Sequence, residues 1–300
     1  MAIRKASVAG QFYPGTKSAL LRKIEDAFKD QKFGPGRLPN PKKKGERETI
    51  GGTAPHAGYD YSAPAAAFTY LNLFEEKIPD TVIILGTDHI GYNKIALMKE
   101  GEWETPLGDL KIDGKLSEKI IEESDIILND ESAFIGYPFG REHNIEVQLP
   151  FIKYCAMDKD IKIVPIKVTT KNFDKLEKIA EDIANAIKKF EKDVIIVASS
   201  DMTHKRPQNV RNPSKDFEEM KKQDQAVIDA FEEFNPQKTL HNAQKTTVCG
   251  PQTITTLMLT CKKLGGTKCK NLKYYTSYEK MGGKGPSDYS VGYFSGIILK

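Results

Sequence analysis

The segment VIILGTDHIGY, residues 82–92, runs from four apolar residues straight into a glycine, an aspartate and a histidine. Short runs that are rich in β-branched side chains and apolar on both faces are typical of parallel strands covered by helices on both sides. Asp88 and His89, which follow the run, prefer water or a metal ion to a hydrophobic core. The segment therefore predicts a buried strand whose carboxyl end reaches a functional site.

Two further segments have the same form. TIGGTAPHAGY, residues 49–59, leads to His56, and DVIIVASSDMTH, residues 193–204, leads to Asp201 and His204. Ligands of open α/β sheets bind beyond the carboxyl ends of the strands. The three segments together therefore predict one polar site at one edge of a sheet.

The rest of the chain alternates between strand and helix patterns. Residues 172–190, NFDKLEKIAEDIANAIKKF, carry apolar side chains at steps of three and four, which predicts an amphipathic helix. Residues 162–168, KIVPIKV, predict another strand, in which Pro165 favours a sheet edge or a bulge. The alternation predicts an α/β fold with a mostly parallel central sheet sandwiched by helices. We expect a single domain over residues 1–300.

Further helices are predicted over SAPAAAFTYLNLF, SKDFEEMKKQDQAVIDAFEEF and PQTITTLMLTCKKLGG, and two closing strands over NLKYYTSYE and YSVGYFSGIIL.

The overall composition narrows the functional class. The chain has 45 basic and 41 acidic residues, a net charge of +4, which is too even to indicate nucleic-acid binding. Its densest basic run, PNPKKKGERE at residues 39–48, is interpreted as a solvated loop. No stretch reaches the roughly 18 to 20 apolar residues of a membrane span, and the N-terminus lacks the apolar core of a signal peptide. We therefore predict a cytoplasmic protein without membrane association, whose four cysteines are reduced thiols.

The histidines suggest a metal site. Two histidines and one anionic ligand on separate strands can hold a divalent metal and leave coordination positions open. His56 and His89 are the candidate pair among five histidines, and His241 is assigned a structural or surface role. His143 begins a helical pattern near a carboxylate, so it or His204 can move protons. The candidates for the third ligand are Cys249, Asp201, Asp88 and Glu142.

Cys249 precedes a glycine, a proline and an apolar helix, in the segment TTVCGPQTITTL. Proline suits the first turn of a helix, so the thiol is expected near a helix N-terminus, where the helix dipole lowers a thiol pKa. The alternative is that Cys249 is a small buried apolar residue.

At these residues the chain resembles the Memo family. The matching segments span nearly the whole sequence in order: RKASVAGQFYP, APHAGYDYSAPAAA, ILGTDHIGY, TPLGDLKID, EHNIEVQLPF, SSDMTH, CGPQTI and SDYSVGYFSGIIL. That family is similar in fold to class III extradiol dioxygenases, which open catechol rings with non-haem Fe(II).

The resemblance implies a set of site residues. It implies metal ligation by His56, His89 and Cys249, and it puts the catalytic candidates Asp201 and His204 in the same pocket. His143 is a further catalytic candidate. The dioxygenases use a carboxylate where this chain has a thiolate, and a thiolate shifts the preference from ring cleavage toward copper, zinc or redox chemistry. We expect a divalent metal cofactor, iron or copper, with zinc as the alternative.

Three functions fit these residues. The first is a metal-dependent oxidoreductase of dioxygenase-like type, and the second is a metal-binding or peptide- or partner-binding protein without turnover. The third is a Cys–His enzyme in which Cys249 attacks and His204 or His89 is the base. The expected ligand is a small molecule or a peptide. Tyr59, Tyr61, Tyr92 and Phe139 are interpreted as ordinary packing, or as a wall for a flat ring.

Overall fold

The computed structural model describes residues 2–42 and 45–300. Residues 43 and 44, in the basic segment 39–48, lie outside the described residues, so the prediction of a solvated loop is not tested there.

The helices are α1 Lys17–Lys29, α2 Tyr59–Glu75, α3 Gly114–Glu123, α4 Leu149–Cys155, α5 Phe173–Lys188, α6 Ser214–Glu232, α7 Pro236–Gln244, α8 Pro251–Lys263 and α9 Ser277–Lys280. The strands are β1 Ile3–Arg4, β2 Thr49–Ala54, β3 Thr81–Gly86, β4 Ala96–Leu97, β5 Glu102–Trp103, β6 Leu110–Ile112, β7 Leu128–Asn129, β8 Lys162–Lys167, β9 Val194–Ser199, β10 His204–Lys205, β11 Lys268–Thr276 and β12 Ser290–Leu299.

The centre of the sheet is parallel. Strands β6, β8, β3, β9 and β2 lie side by side in that order, and each pair of neighbours runs parallel. Strand β12 adds antiparallel to β2, and β11 pairs antiparallel with β12. The prediction of an α/β fold with a mostly parallel central sheet flanked by helices is confirmed, as are the long helices and the two closing strands.

Strand β8 corrects one expectation. Pro165 favoured a sheet edge or a bulge, but β8 lies inside the sheet, between β6 and β3. On the β6 side, however, residues 162–163 pair with β6 and residues 166–167 pair with β4. Pro165 falls between these two pairings, so on this side of β8 its missing N–H breaks no ladder bond.

The core consists of two layers, one on each face of the sheet. Successive residues of β3 alternate between them: Val82 and Ile84 join one cluster, and Ile83 and Leu85 join the other. Strand β9 alternates in the same way. Because every second side chain of a strand points to the same face, an all-apolar strand must be covered on both sides.

Within residues 2–42 and 45–300, no helix combines the length and the apolar composition that crossing a bilayer requires.

Candidate functional site

The predicted site residues meet at one edge of the sheet. Strands β2, β9 and β3 are parallel neighbours, so their carboxyl ends lie side by side. A cavity of about 820 Å³ opens beyond these ends. The six residues assigned to metal ligation or catalysis all line it, namely His56, His89, His143, Asp201, His204 and Cys249. Asp88 and Glu142, the other candidates for the third ligand, do not line it. Their roles as ligands or catalysts stay predictions.

His56 carries a free ring nitrogen. The hydroxyl of Ser199 donates to the carbonyl of Asn144 at 2.7 Å, so it accepts from His56 Nδ1 at 3.0 Å. This bond assigns the proton to Nδ1 and leaves a lone pair on Nε2. Nε2 is buried and has no hydrogen-bond partner among the described residues. Burial, then the neighbouring His143 and His89, hold the pKa of His56 well below its usual value, so the ring is neutral.

His89 is oriented by a carboxylate. Its Nδ1 donates to Glu142 Oε1 at 2.9 Å, and its backbone N–H donates to Glu142 Oε2 at 2.6 Å. Nε2 is therefore the ring nitrogen left for a ligand. Burial lowers the pKa of His89, but the hydrogen bond and charge of Glu142 outweigh it and raise that pKa. The same bond contributes to lowering the pKa of Glu142 to about 2, against the opposing effect of burial.

The same carboxylate reaches His143. Glu142 Oε1 lies 3.5 Å from His143 Nδ1, and the rings of His89 and His143 stack with centroids 5.0 Å apart at 12°. Burial lowers the pKa of His143 to about 4. One nitrogen each of His56, His89 and His143 lie within 4.8 Å of one another. A cluster of three imidazole nitrogens that includes the buried, unpartnered Nε2 of His56 fits a divalent metal.

Close backbone approaches bring these loops together. A Cβ on Gly86, at the end of β3, would lie 2.3 Å from Asn144 Oδ1, so glycine allows the loop of His143 to lie against the strand. Asn144 Nδ2 donates to the carbonyl of Thr87 at 2.9 Å. A Cβ on Gly250 would likewise lie 3.0 Å from the carbonyl of Ser199, at the end of β9.

Asp201 holds the backbone at His56 and lies close to Cys249. Its Oδ1 accepts from the backbone N–H groups of His56 at 2.7 Å and Ala57 at 3.2 Å. One carboxylate oxygen also lies within 4.8 Å of Cys249 Sγ and of a His56 nitrogen, which gives a second group of ligand atoms around His56. Burial raises the pKa of Asp201 to about 7.

His204 bridges Cys249 and Tyr289. Cys249 Sγ lies 3.3 Å from His204 Nε2, and the Tyr289 hydroxyl bonds His204 Nδ1. Burial lowers the pKa of His204 to about 4.

The Cys249 thiol precedes the N-terminus of α8, as predicted, but the prediction that its pKa is lowered is wrong. Burial, then the carboxylates of Asp201 and Glu142, raise the pKa of Cys249 far above its usual value.

Lys167 holds two loops of the site in place. Its side chain is fully buried, and Nζ lies 3.2 Å from Asp88 Oδ1, next to His89 in the chain. The ammonium lies over the rings of Tyr92 and Phe139 at 5.1 and 5.4 Å from their centroids. Because Phe139 lies in the loop that leads to Glu142 and His143, Lys167 joins the loops of both stacked histidines. We name this arrangement the Lys167 clamp.

The N-terminal segment closes one side of the site. Glu146 is buried, where it pairs with Arg4 and accepts from the Tyr13 hydroxyl at 2.7 Å. These bonds fix the turn that carries Phe12, whose ring lies 4.4 Å from that of His143. Neither the role of Lys167 nor that of Glu146 was predicted from the sequence. Their partners are distant in the chain, and a local sequence pattern does not show such contacts.

Comparison with known proteins identifies the family. A family model described as Memo-like protein matches residues 4–297. A MEMO1 family protein of Desulfurococcus amylolyticus is 40% identical over 97% of this chain and 96% of the relative. One from Pyrobaculum arsenaticum is 36% identical, and one from Sulfurisphaera tokodaii is 37% identical, each over 98% of both chains.

Among solved structures, an uncharacterised protein of Escherichia coli K12 aligns with a TM-score of 0.47 and 13% sequence identity. The alignment covers 81% of this chain and 99% of that one. A likeness this distant says nothing about the chemistry of the cavity. The match to the family model, by contrast, includes all six predicted site residues and nearly the whole sequence. On this full-length match, the chain belongs to the Memo-like family.

Proposed function

We propose that the chain binds one divalent metal ion, iron or copper, at His56 and His89 and acts as a metal-dependent oxidoreductase of dioxygenase-like type. The observation that carries the proposal is the buried Nε2 of His56, which has no partner among the described residues. A buried nitrogen lone pair beside two other imidazoles costs free energy unless a ligand satisfies it. A metal ion satisfies all three at once.

Two side chains compete for the third ligand position. His143 is supported by its nitrogen, which lies within 4.8 Å of those of His56 and His89. Cys249 is supported by the second group of ligand atoms, which it forms with His56 and Asp201. Its thiol must lose a proton to bind, and a divalent metal promotes that loss. Separate His143→Ala and Cys249→Ala variants identify the ligand as the one whose loss weakens metal affinity more.

The remaining side chains support chemistry at such an ion. The metal would supply Lewis-acid and redox chemistry and open positions for substrate or O₂. Glu142 orients His89, and Asp201 fixes the backbone at His56 through two N–H groups. His204 is neutral at pH 7 and lies in the same cavity, so it can accept a proton from a bound hydroxyl group.

We expect Glu142→Gln to weaken metal binding by about 10- to 100-fold, the usual effect of removing a carboxylate that orients a ligand histidine. The amide keeps an oxygen that can accept from His89 but loses the negative charge. Titration with Zn²⁺ against a competing chelator measures the change. Glu131→Gln, at an exposed position outside the cavity, is the control. Equal affinities in both variants would remove Glu142 from the site.

For His204→Gln we expect metal binding close to wild type and a turnover rate about 10²-fold lower, the usual size of a general acid–base contribution. Metal content and the rate of O₂ consumption are measured on the same preparation. Loss of the metal with the fold intact would instead make His204 a ligand and count against Cys249 in that role.

Metal analysis of protein purified without added metal, in air and anaerobically, tests the proposal. We expect about one iron or copper per chain, and O₂ uptake with catechol-type compounds. A bound metal without any O₂ uptake favours the metal-binding alternative.

The 3.3 Å contact between Cys249 and His204 favours a second candidate, the Cys–His enzyme. Metal-independent turnover that Cys249→Ala abolishes would support that candidate.

A further inference from the structure

We infer that the cavity selects a small aromatic compound that carries an amine, with the ring hydroxyl toward the histidines and the ammonium toward Asp288. This inference rests on the proposed function, because a bound metal gives the hydroxyl end its partner. The charge of the cavity wall is the first support. Asp201 and Asp288 line the cavity, and none of the described lysines or arginines does. Burial raises the pKa of Asp201 to about 7, so the exposed Asp288 is the main source of negative charge in this wall. A carboxylate with no lysine or arginine beside it in the wall disfavours an anionic group and favours a cationic one.

The aromatic side chains of the wall are the second support. Phe12, Tyr61, Tyr289 and Tyr293 all line the cavity. Tyr61 is 40% exposed and Tyr289 is 37% exposed, so parts of their rings are free for contact. Flat rings pack well against aromatic side chains, and the faces of such rings also attract ammonium groups. A ligand that combines a ring with an amine can use both properties.

Two parts of the cavity wall differ in chemistry. One part holds the cluster of His56, His89 and His143, in which His56 is fully buried beyond the strand ends. Asp288 is exposed, in the glycine-rich segment that precedes β12, so its carboxylate faces solvent at the rim. The guanidinium of Arg206 lies 5.2 Å from the ring centroid of Tyr289, but Arg206 does not line the cavity. An acidic group on the ligand would therefore face the carboxylate of Asp288, with no basic side chain in the cavity wall to pair with.

Three para-substituted phenols of different charge test the inference. Tyramine carries an ammonium, 3-(4-hydroxyphenyl)propionate carries a carboxylate, and 4-ethylphenol is neutral. Binding is measured by calorimetry on Zn²⁺-loaded protein, which cannot turn over by redox chemistry, in a buffer free of amines. We expect tyramine to bind about tenfold more tightly than the propionate, because attraction and repulsion at a solvent-facing carboxylate each contribute about threefold. The neutral phenol should fall between them.

Substitution of the carboxylate locates the effect. In Asp288→Asn the tenfold preference should fall to about threefold or less, while 4-ethylphenol binds as in wild type. Asp158→Asn, exposed and outside the cavity, should keep the full preference. Added salt should reduce the preference in wild type, because exposed charges are screened. Equal or tighter binding of the propionate, an unchanged preference in Asp288→Asn, or no binding of any of the three phenols overturns the inference.

The metal content is measured separately, so the two proposals can fail independently. If the protein binds no metal but still prefers tyramine, and the preference depends on Asp288, the proposed function is contradicted. The inference that the cavity selects a cationic ligand is then still supported. Protein that binds the metal through His89 but shows no preference among the phenols contradicts only the charge selection.

Discussion

His89→Ala is expected to weaken metal binding by about 10²-fold or more. Structural four-ligand zinc sites bind with roughly 12 kcal/mol, so one ligand carries about 3 kcal/mol, and each 1.4 kcal/mol is a factor of ten. The substitution also leaves Glu142 without its histidine partner in the site. Alanine at this position keeps the loop backbone, and 31% of the His89 side chain is exposed, so the fold should persist.

His241→Ala is the matched control. His241 lies in α7, exposed and outside the cavity, and its loss should leave metal affinity unchanged. Competition with a chelator of known affinity gives both dissociation constants, and circular dichroism checks the fold. Equal metal binding by the two variants would place the metal elsewhere in the molecule.

Lys167→Met should lower the free energy of unfolding by about 3 kcal/mol, the usual cost of removing one partner of a buried ion pair. Methionine fills much of the space of the lysine stem, so the loss comes mainly from charge. Asp88, whose side chain is 9% exposed, would be left without its cation, and the rings of Tyr92 and Phe139 would lose their contact with the ammonium. Urea unfolding monitored by circular dichroism measures the change.

The double variant Lys167→Met/Asp88→Asn separates charge from packing. With both charges gone, about half or more of the lost stability should return, because no unpaired carboxylate is left in the loop. A single variant as stable as wild type would mean that the Lys167 clamp does not stabilise the fold. A double variant no more stable than the single one would mean that packing, not charge, explains the loss.

Much of the fold and the gathering of the site could be predicted from the sequence. The apolar runs at residues 82–85 and 194–198 predict parallel strands, and parallel strands bring their carboxyl ends to one edge. That rule alone predicted that His56, His89 and Asp201 would meet. The meeting of these side chains follows from the local sequence of each strand and from the parallel topology of the sheet. Both can be predicted from one amino-acid sequence.

The finer features depend on groups that are distant in the sequence. The proton position on His56 is set by Ser199, and the orientation of His89 by Glu142. The dipole argument for Cys249 considered one helix end and omitted burial and two carboxylates, which raise the pKa. Pro165 was expected at an edge or a bulge because the gap between the pairings of β6 and β4 cannot be seen in the sequence.

The order of the central strands has a consequence for how the site assembles during folding. His56 follows β2 and His89 follows β3, yet β9 lies between these two strands in the sheet. Strand β9 comes much later in the chain, after α5, so closing that long loop precedes the meeting of the two histidines. Long-range pairings of this kind form slowly, because loop entropy is lost before contacts compensate for it. A nascent or partly folded chain therefore keeps the two histidines apart, and the proposed metal site is complete only when β9 has inserted between β2 and β3.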